Sequence, residues 1–188
     1  MLICGIDLGI RNCAVAFFDS TLQRVALSHI DITGKATIPN KDLAKQTVVK
    51  LMSPLAIQGL HASKKVFIEE PIFVPRNAAL MNKLWIIHTT LMVHPATASK
   101  AVSIKPLEVI RIYPDISSAG NRTIKKKRTV ELARSLITQL SGDNSDALAQ
   151  LNKEKADDMA DALIIAFAGA RITGLEIPNN LLSIDSRP

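Results

Sequence analysis

Cysteine is nearly absent from this chain, with two among 188 residues, Cys4 and Cys13. Both sit inside apolar, strand-like runs, so they read as small core residues in a reducing compartment, not as a disulfide framework. No His/Cys spacing suggests a zinc site. No apolar run reaches the length of a membrane span. The first strand begins at Leu2, which leaves no room for a signal or transit peptide. Internal repeats, low-complexity tracts and linkers are also missing. The expectation is one domain over residues 1–174, long enough to bury a core, with an irregular tail over 175–188.

What the chain does have is positive charge and a regular apolar pattern. A formal charge of +6 and a pI near 9.5 point to a polyanionic partner. Leu2 to Leu8 is an apolar run broken by Asp7 near its end, the pattern of a strand buried on both faces. Cys13 to Asp19 follows a short GIRN connection as its hairpin partner, and Arg24 to Ile32 alternates as a third, half-exposed strand. Asp31 to Asn40 reads as loop. Lys41 to about Leu60 has a helical period, with Pro54 as a kink or a break. Lys64 to Glu70 is a fourth strand, stopped by Pro71. Arg76 to about Val93, containing Trp85, is a helix apolar nearly all round, set deep in the core or carrying a second buried face such as a dimer contact.

Leu107 to Tyr113 reads as a fifth strand closed by Pro114. After a loop over Asp115 to Thr123, the basic run Lys125, Lys126, Lys127, Arg128 opens a helix. A polar turn over Ser141 to Asp146 precedes a last helix from about Asn152 to Arg171. Three strands followed by alternating helices and strands predict an α/β fold. The expected sheet is mixed and five-stranded, a three-stranded antiparallel meander plus parallel strands, flanked by helices. Active sites of such sheets gather at carboxyl ends of strands. Asp7 and the pair Glu69 and Glu70 stand at such ends.

The third acidic stretch is KADDMADAL, where Asp157, Asp158 and Asp161 open the last helix. Asp158 and Asp161, three apart, share a helix face; Asp157 and Asp161, four apart, compete for the same description. Acids at a helix start are favoured by the macrodipole alone. Asp7, Glu69 and these aspartates together suggest more. Carboxylates brought close repel one another unless a proton or a cation intervenes. Hard, oxygen-ligated ions such as Mg²⁺ or Mn²⁺ answer that need, and a pair of them can flank a scissile phosphate.

GIDLGIRN, FIEEP and DDMADAL, in that order, resemble the RuvC-like Holliday junction resolvases of the ribonuclease H-like superfamily. The resemblance runs from Leu2 to about Ala170. Asn12 after Arg11 is similar to the D-x-G-x-[KR]-N opening of the poxvirus and mitochondrial branch. KKKRTVE, Lys125 to Glu131, is similar to the basic stretch that poxvirus resolvases place before their penultimate helix. The resemblance implies a ribonuclease H-like fold whose four catalytic, metal-binding carboxylates fall on Asp7, Glu69, Asp158 and Asp161. Glu70 then becomes a supporting or spectator acid, and Asp157 part of the doubled Asp of poxvirus members.

The same resemblance implies a homodimeric endonuclease with two Mg²⁺ ions per site, Mn²⁺ substituting, and no nucleotide cofactor. It would cut two opposed strands of a four-way DNA junction symmetrically, leaving 5′-phosphates, in recombination or concatemer resolution. It would work in the cytoplasm or at a site of viral or phage DNA replication. Lys125 to Arg128 would hold phosphates with little sequence preference. Lys126 or Lys127 would also support the transition state. Arg11, Asn12, Phe73 and Arg76 complete the expected DNA contacts, Phe73 being equally readable as core.

Three other readings compete. The GIDLGxxN opening also resembles the first phosphate loop of actin-like and hexokinase-like ATPases, but these need a second D-x-G loop that this chain lacks. Another ribonuclease H-like nuclease, acting on RNA/DNA hybrids or ribosomal RNA precursors, would use the same acids. A DNA-binding module without activity would be expected to have lost some of them.

Overall fold

Leu2–Leu8 forms β1, the central strand of a five-stranded sheet. The computed structural model describes residues 1–9, 12–32, 40–72, 78–116 and 121–178. β2 (Asn12–Asp19) and β3 (Arg24–Asp31) continue the chain as an antiparallel meander. β4 (Lys65–Glu69) lies parallel to β1 on its other side, and β5 (Ala101–Ile104) lies parallel to β4. The order across the sheet is β3-β2-β1-β4-β5. This is the mixed sheet expected from the sequence, an antiparallel meander plus parallel strands.

Helices cover both faces. On one side, α1 (Asn40–Leu51), α2 (Pro54–Ala62) and α3 (Ala78–Val93) enclose Cys4, Ile6, Val15, Val66 and Ile68. On the other, α4 (Pro106–Ile112), α5 (Arg122–Thr138), α6 (Ser145–Gln150) and α7 (Ala156–Ile172) supply much of a second core around Ile3, Ala16, Phe18, Leu27 and Phe67. Pro54 breaks the predicted first helix, because proline is tolerated only at a helix start. Among the described residues, no helix is long and apolar enough to cross a membrane.

α7 is the element that positions everything else. Residues 162–170 are buried, and the helix crosses the middle of the sheet. Small side chains make the crossing close: a Cβ built on Gly5 would lie 2.1 Å from the Ala162 carbonyl oxygen and 2.6 Å from the Ala166 nitrogen. Both are backbone atoms, so they cannot move aside as a side chain would. Glycine at position 5 therefore sets how near the helix start comes to the end of β1.

Three predicted elements differ from the structure. Leu107 to Tyr113 is not the fifth strand; most of it is α4. Pro106 starts that helix, and the Lys105 backbone N–H donates to Glu108 Oε2 at 2.8 Å, a cap that outweighs the strand-like alternation. Val109 and Tyr113, four apart, face the core while Leu107 stays exposed. The fifth strand is AVSI, residues 101–104, four residues long. The last helix begins at Ala156, not near Asn152, because Lys155 takes a left-handed conformation (φ 63°) and separates it from α6. α6 itself begins at Ser145, inside the stretch read as a polar turn.

Candidate active site

Strand periodicity decides which acids share a face. Ile3 lies against the α7 side, and residues at odd positions of β1 follow it, so Asp7 points the same way. Phe67 does the same on β4, which brings Glu69 to that face. The parallel register pairs Ile6 with Ile68, so Asp7 and Glu69 emerge side by side where the two strands end. The start of α7 lies over them, with Asp158 and Asp161 one turn apart.

The electrostatics follow that placement. Asp7 and Asp161 are half-buried at this end of the sheet. Desolvation pushes the Asp7 carboxyl well above its usual range, and the charges of Asp161, Glu69, Asp158 and Asp157 push it further. Asp161 is pushed up to about 7 by desolvation and then by Glu69, against the opposing charge of Lys125. Burial raises Glu69, again opposed by Lys125. Asp158 is raised by burial and by Asp157. Four acids from β1, β4 and α7 thus act on one another. Asp157 differs: burial works against it, but its ion pair with Lys126 outweighs this and keeps it ionised.

That pairing gives Asp157 and Asp158 different partners. Asp157 turns to the basic helix, while Asp158 is the aspartate that His29 meets, Nε2 to Oδ2 at 3.6 Å. Glu70 also separates from its neighbour: its charge acts on His88 of α3, on the other side of the sheet.

The cations of α5 divide similarly. Lys125, Lys126, Lys127 and Arg128 are all exposed at the helix start, which Asn121 caps by accepting the Thr123 N–H at 2.8 Å. Lys125 is the member whose charge reaches Glu69 and Asp161. Lys126 binds Asp157. Lys127 lies 3.8 Å from Glu131 on its own helix, and Arg128 donates to the Asp115 carbonyl at 3.3 Å. Asn12 opens β2, half-buried, where its carbonyl oxygen would lie 2.2 Å from a Cβ on Gly9. Arg11, Phe73 and Arg76 lie outside the described residues.

Sequence reasoning missed His29. The signal was there in the phase of β3: Val25 and Leu27 face the α7 core, and His29 is next in that series. Lys125 was foreseen only as a phosphate contact.

The donor set fits a hard divalent cation in chemistry. It offers carboxylate oxygens only, in a place where their negative charge is unfavourable without a counter-charge. Like charges repel, and the side chains stand apart: among the described residues, no three His, Cys, Asp or Glu side chains are grouped so that they could hold an ion as they stand. The arrangement can bind cations against an incoming phosphate only if the acids draw together.

The family model described as poxvirus A22 protein matches residues 1–172. A comparison with curated proteins finds no match. Among solved structures, a T. thermophilus RuvC in complex with a Holliday junction substrate superposes with TM-score 0.62 at 17% identity, covering 93% of this chain and 96% of that one. The fowlpox virus resolvase with its substrate Holliday junction DNA gives TM-score 0.56 at 20% identity, covering 92% and 99%. At such identities the likeness establishes the fold.

Proposed function

This chain belongs to the poxvirus A22 protein family, and on that premise we propose that it is a Holliday junction resolvase, a nuclease that cuts four-way DNA junctions. The observation that carries the reading is that Asp7, Glu69 and Asp161, from three separate elements, share one end of the sheet and lie near enough for their charges to raise one another. The reading draws support from the RuvC and fowlpox resolvase structures, which were determined with Holliday junction DNA.

In finer detail, we propose Mg²⁺-dependent hydrolysis that leaves 5′-phosphates, with Asp7, Glu69, Asp158 and Asp161 as ligands for two ions that Mn²⁺ can replace. Bound there, the ions would supply an activated water and a charge sink for the leaving oxygen. The chain's own residues do the rest. Glu69 and Asp7 fix the floor of the site on the sheet, whose strands cannot shift without breaking the core. Asp158 and Asp161 form its wall on α7. Lys125, beside Glu69 and Asp161, meets the negative charge that grows on the phosphate. Lys126, Lys127 and Arg128 track neighbouring phosphates, Lys126 exchanging Asp157 for DNA.

A junction with two-fold symmetry suits two copies of the enzyme. Exposed Ile86 and Val93, on α3, offer apolar surface for that pairing. The test is one gel: a synthetic four-way junction, its duplex arms and an RNA/DNA hybrid, each with Mg²⁺ or EDTA. The reading expects paired nicks in the junction alone, with Mg²⁺ alone. Preferential cleavage of the hybrid would assign a different nuclease, and binding without cleavage an inert module.

A further inference from the structure

We propose that His29 is a positioning residue for Asp158, holding its carboxylate in the orientation that ion binding requires. The inference rests on the metal-dependent reading above. Its starting point is a buried polar atom: His29 Nε2 is closed off from solvent and, among the described residues, has no hydrogen-bond partner. Buried donors and acceptors are rarely left so, because each forfeits its bond to water without replacement. The acceptor in reach is Asp158 Oδ2 at 3.6 Å, beyond a formed hydrogen bond yet closed by a sub-ångström shift.

Position gives the contact a purpose. Across the sheet Asp7 pairs with Ala14, and Ala14 pairs with His29, so the histidine sits in the row of the central aspartate, two strands away. Asp161 is near enough to Glu69 to feel its charge. Asp158, nearer the rim of α7, has like charge for a neighbour in Asp157, whose own cation Lys126 is already bonded. The charges of Lys126 and Lys155 also reach it, and His29 approaches its carboxylate from the sheet, at 3.6 Å. With a proton on Nε2 the imidazole donates to Oδ2 and leaves Oδ1 free for the ion. Outer donors of this kind hold ligating carboxylates in many metal sites. His29 thus couples the meander to the draw-in of acids that the site requires.

The test compares wild type, His29→Leu, His29→Gln and His29→Asn with Asp161→Asn as reference. Metal-free protein without DNA is titrated with Mn²⁺ by calorimetry, and cleavage is followed against Mg²⁺ concentration. Gln places an N–H near the position of Nε2; Asn is too short to do so. We expect Leu and Asn to weaken Mn²⁺ binding by roughly 10–100-fold and to raise the half-saturating Mg²⁺ in proportion. Gln should recover most of the loss, and junction binding in EDTA should be unchanged in all three. Wild-type Mn²⁺ affinity in His29→Leu, beside a loss in Asp161→Asn, would overturn this role and leave the metal site standing. So would Gln and Asn behaving alike. A wild-type protein that takes up no Mn²⁺ would sink both.

Discussion

Asp7 and Asp19 each close a strand, at opposite ends of the same sheet, and their surroundings are opposite too. Asp19 pairs across from Leu2, at the beginning of β1. Its Oδ1 accepts the N–H groups of Thr21 at 2.9 Å and Leu22 at 3.3 Å, with the terminal amine at 3.4 Å. Slight burial is outweighed by these donors, which hold the carboxyl below its usual range. Asp7 has acids around it instead, and desolvation with their charge raises it. A strand-end aspartate is thus a turn residue where donors gather and a ligand candidate where carboxylates do. The difference lies in α7, which brings acids to one end of the sheet only.

The sharpest way to break the comparison is to remove charge at each end. Asp7→Asn, Glu69→Gln, Asp158→Asn and Asp161→Asn should each lower junction cleavage by at least about 100-fold, with junction affinity in EDTA nearly unchanged. Full activity in any one removes that residue from the site. Asp19→Ala should leave cleavage intact and cost about 1–2 kcal/mol of stability by removing its turn hydrogen bonds, a melting shift of a few degrees.

Neutralising Lys127 and Arg128 should come next in size. Each phosphate that the protein no longer neutralises should flatten the slope of log K against log salt by about 0.9. An unchanged slope would contradict their role on DNA.

The smallest effect is one of pH. Asp161 holds its proton up to about 7 in the folded chain, whereas an unfolded aspartate releases it near 3.9. Between those values the folded state binds more protons than the unfolded one, so raising the pH destabilises metal-free protein. Asp161→Asn should therefore melt higher than wild type near pH 7, and the gap should close as pH falls towards about 4. A gap independent of pH would remove the carboxyl from its crowded setting.

Most of the fold, and the placing of acids at one end of the sheet, was legible in the chain itself, for a physical reason. β1, β2 and β4 are apolar runs bounded by breakers, and α7 declares itself by aspartates ahead of a long apolar stretch. The fifth strand was not legible: AVSI is four residues long, and its neighbour LEVIRIY alternates like a strand until Pro106 and Glu108 cap it as a helix. Nor could spacing decide between Asp157 and Asp158, since both lie on the same turn. Lys126, about thirty positions away, pairs with Asp157, and no spacing within the helix announces that contact. Contacts between distant stretches, such as His29 with Asp158, leave only a faint trace in strand phase.

The central claim is that acids from β1, β4 and α7 draw together on divalent ions. Its most direct measurement is a crystal of the protein with Mn²⁺, with the ions located by their anomalous scattering. The expected result is Mn²⁺ bound by Asp7, Glu69 and Asp161, with Asp158 beside them. Mn²⁺ found only elsewhere, with those carboxylates still apart, would contradict it.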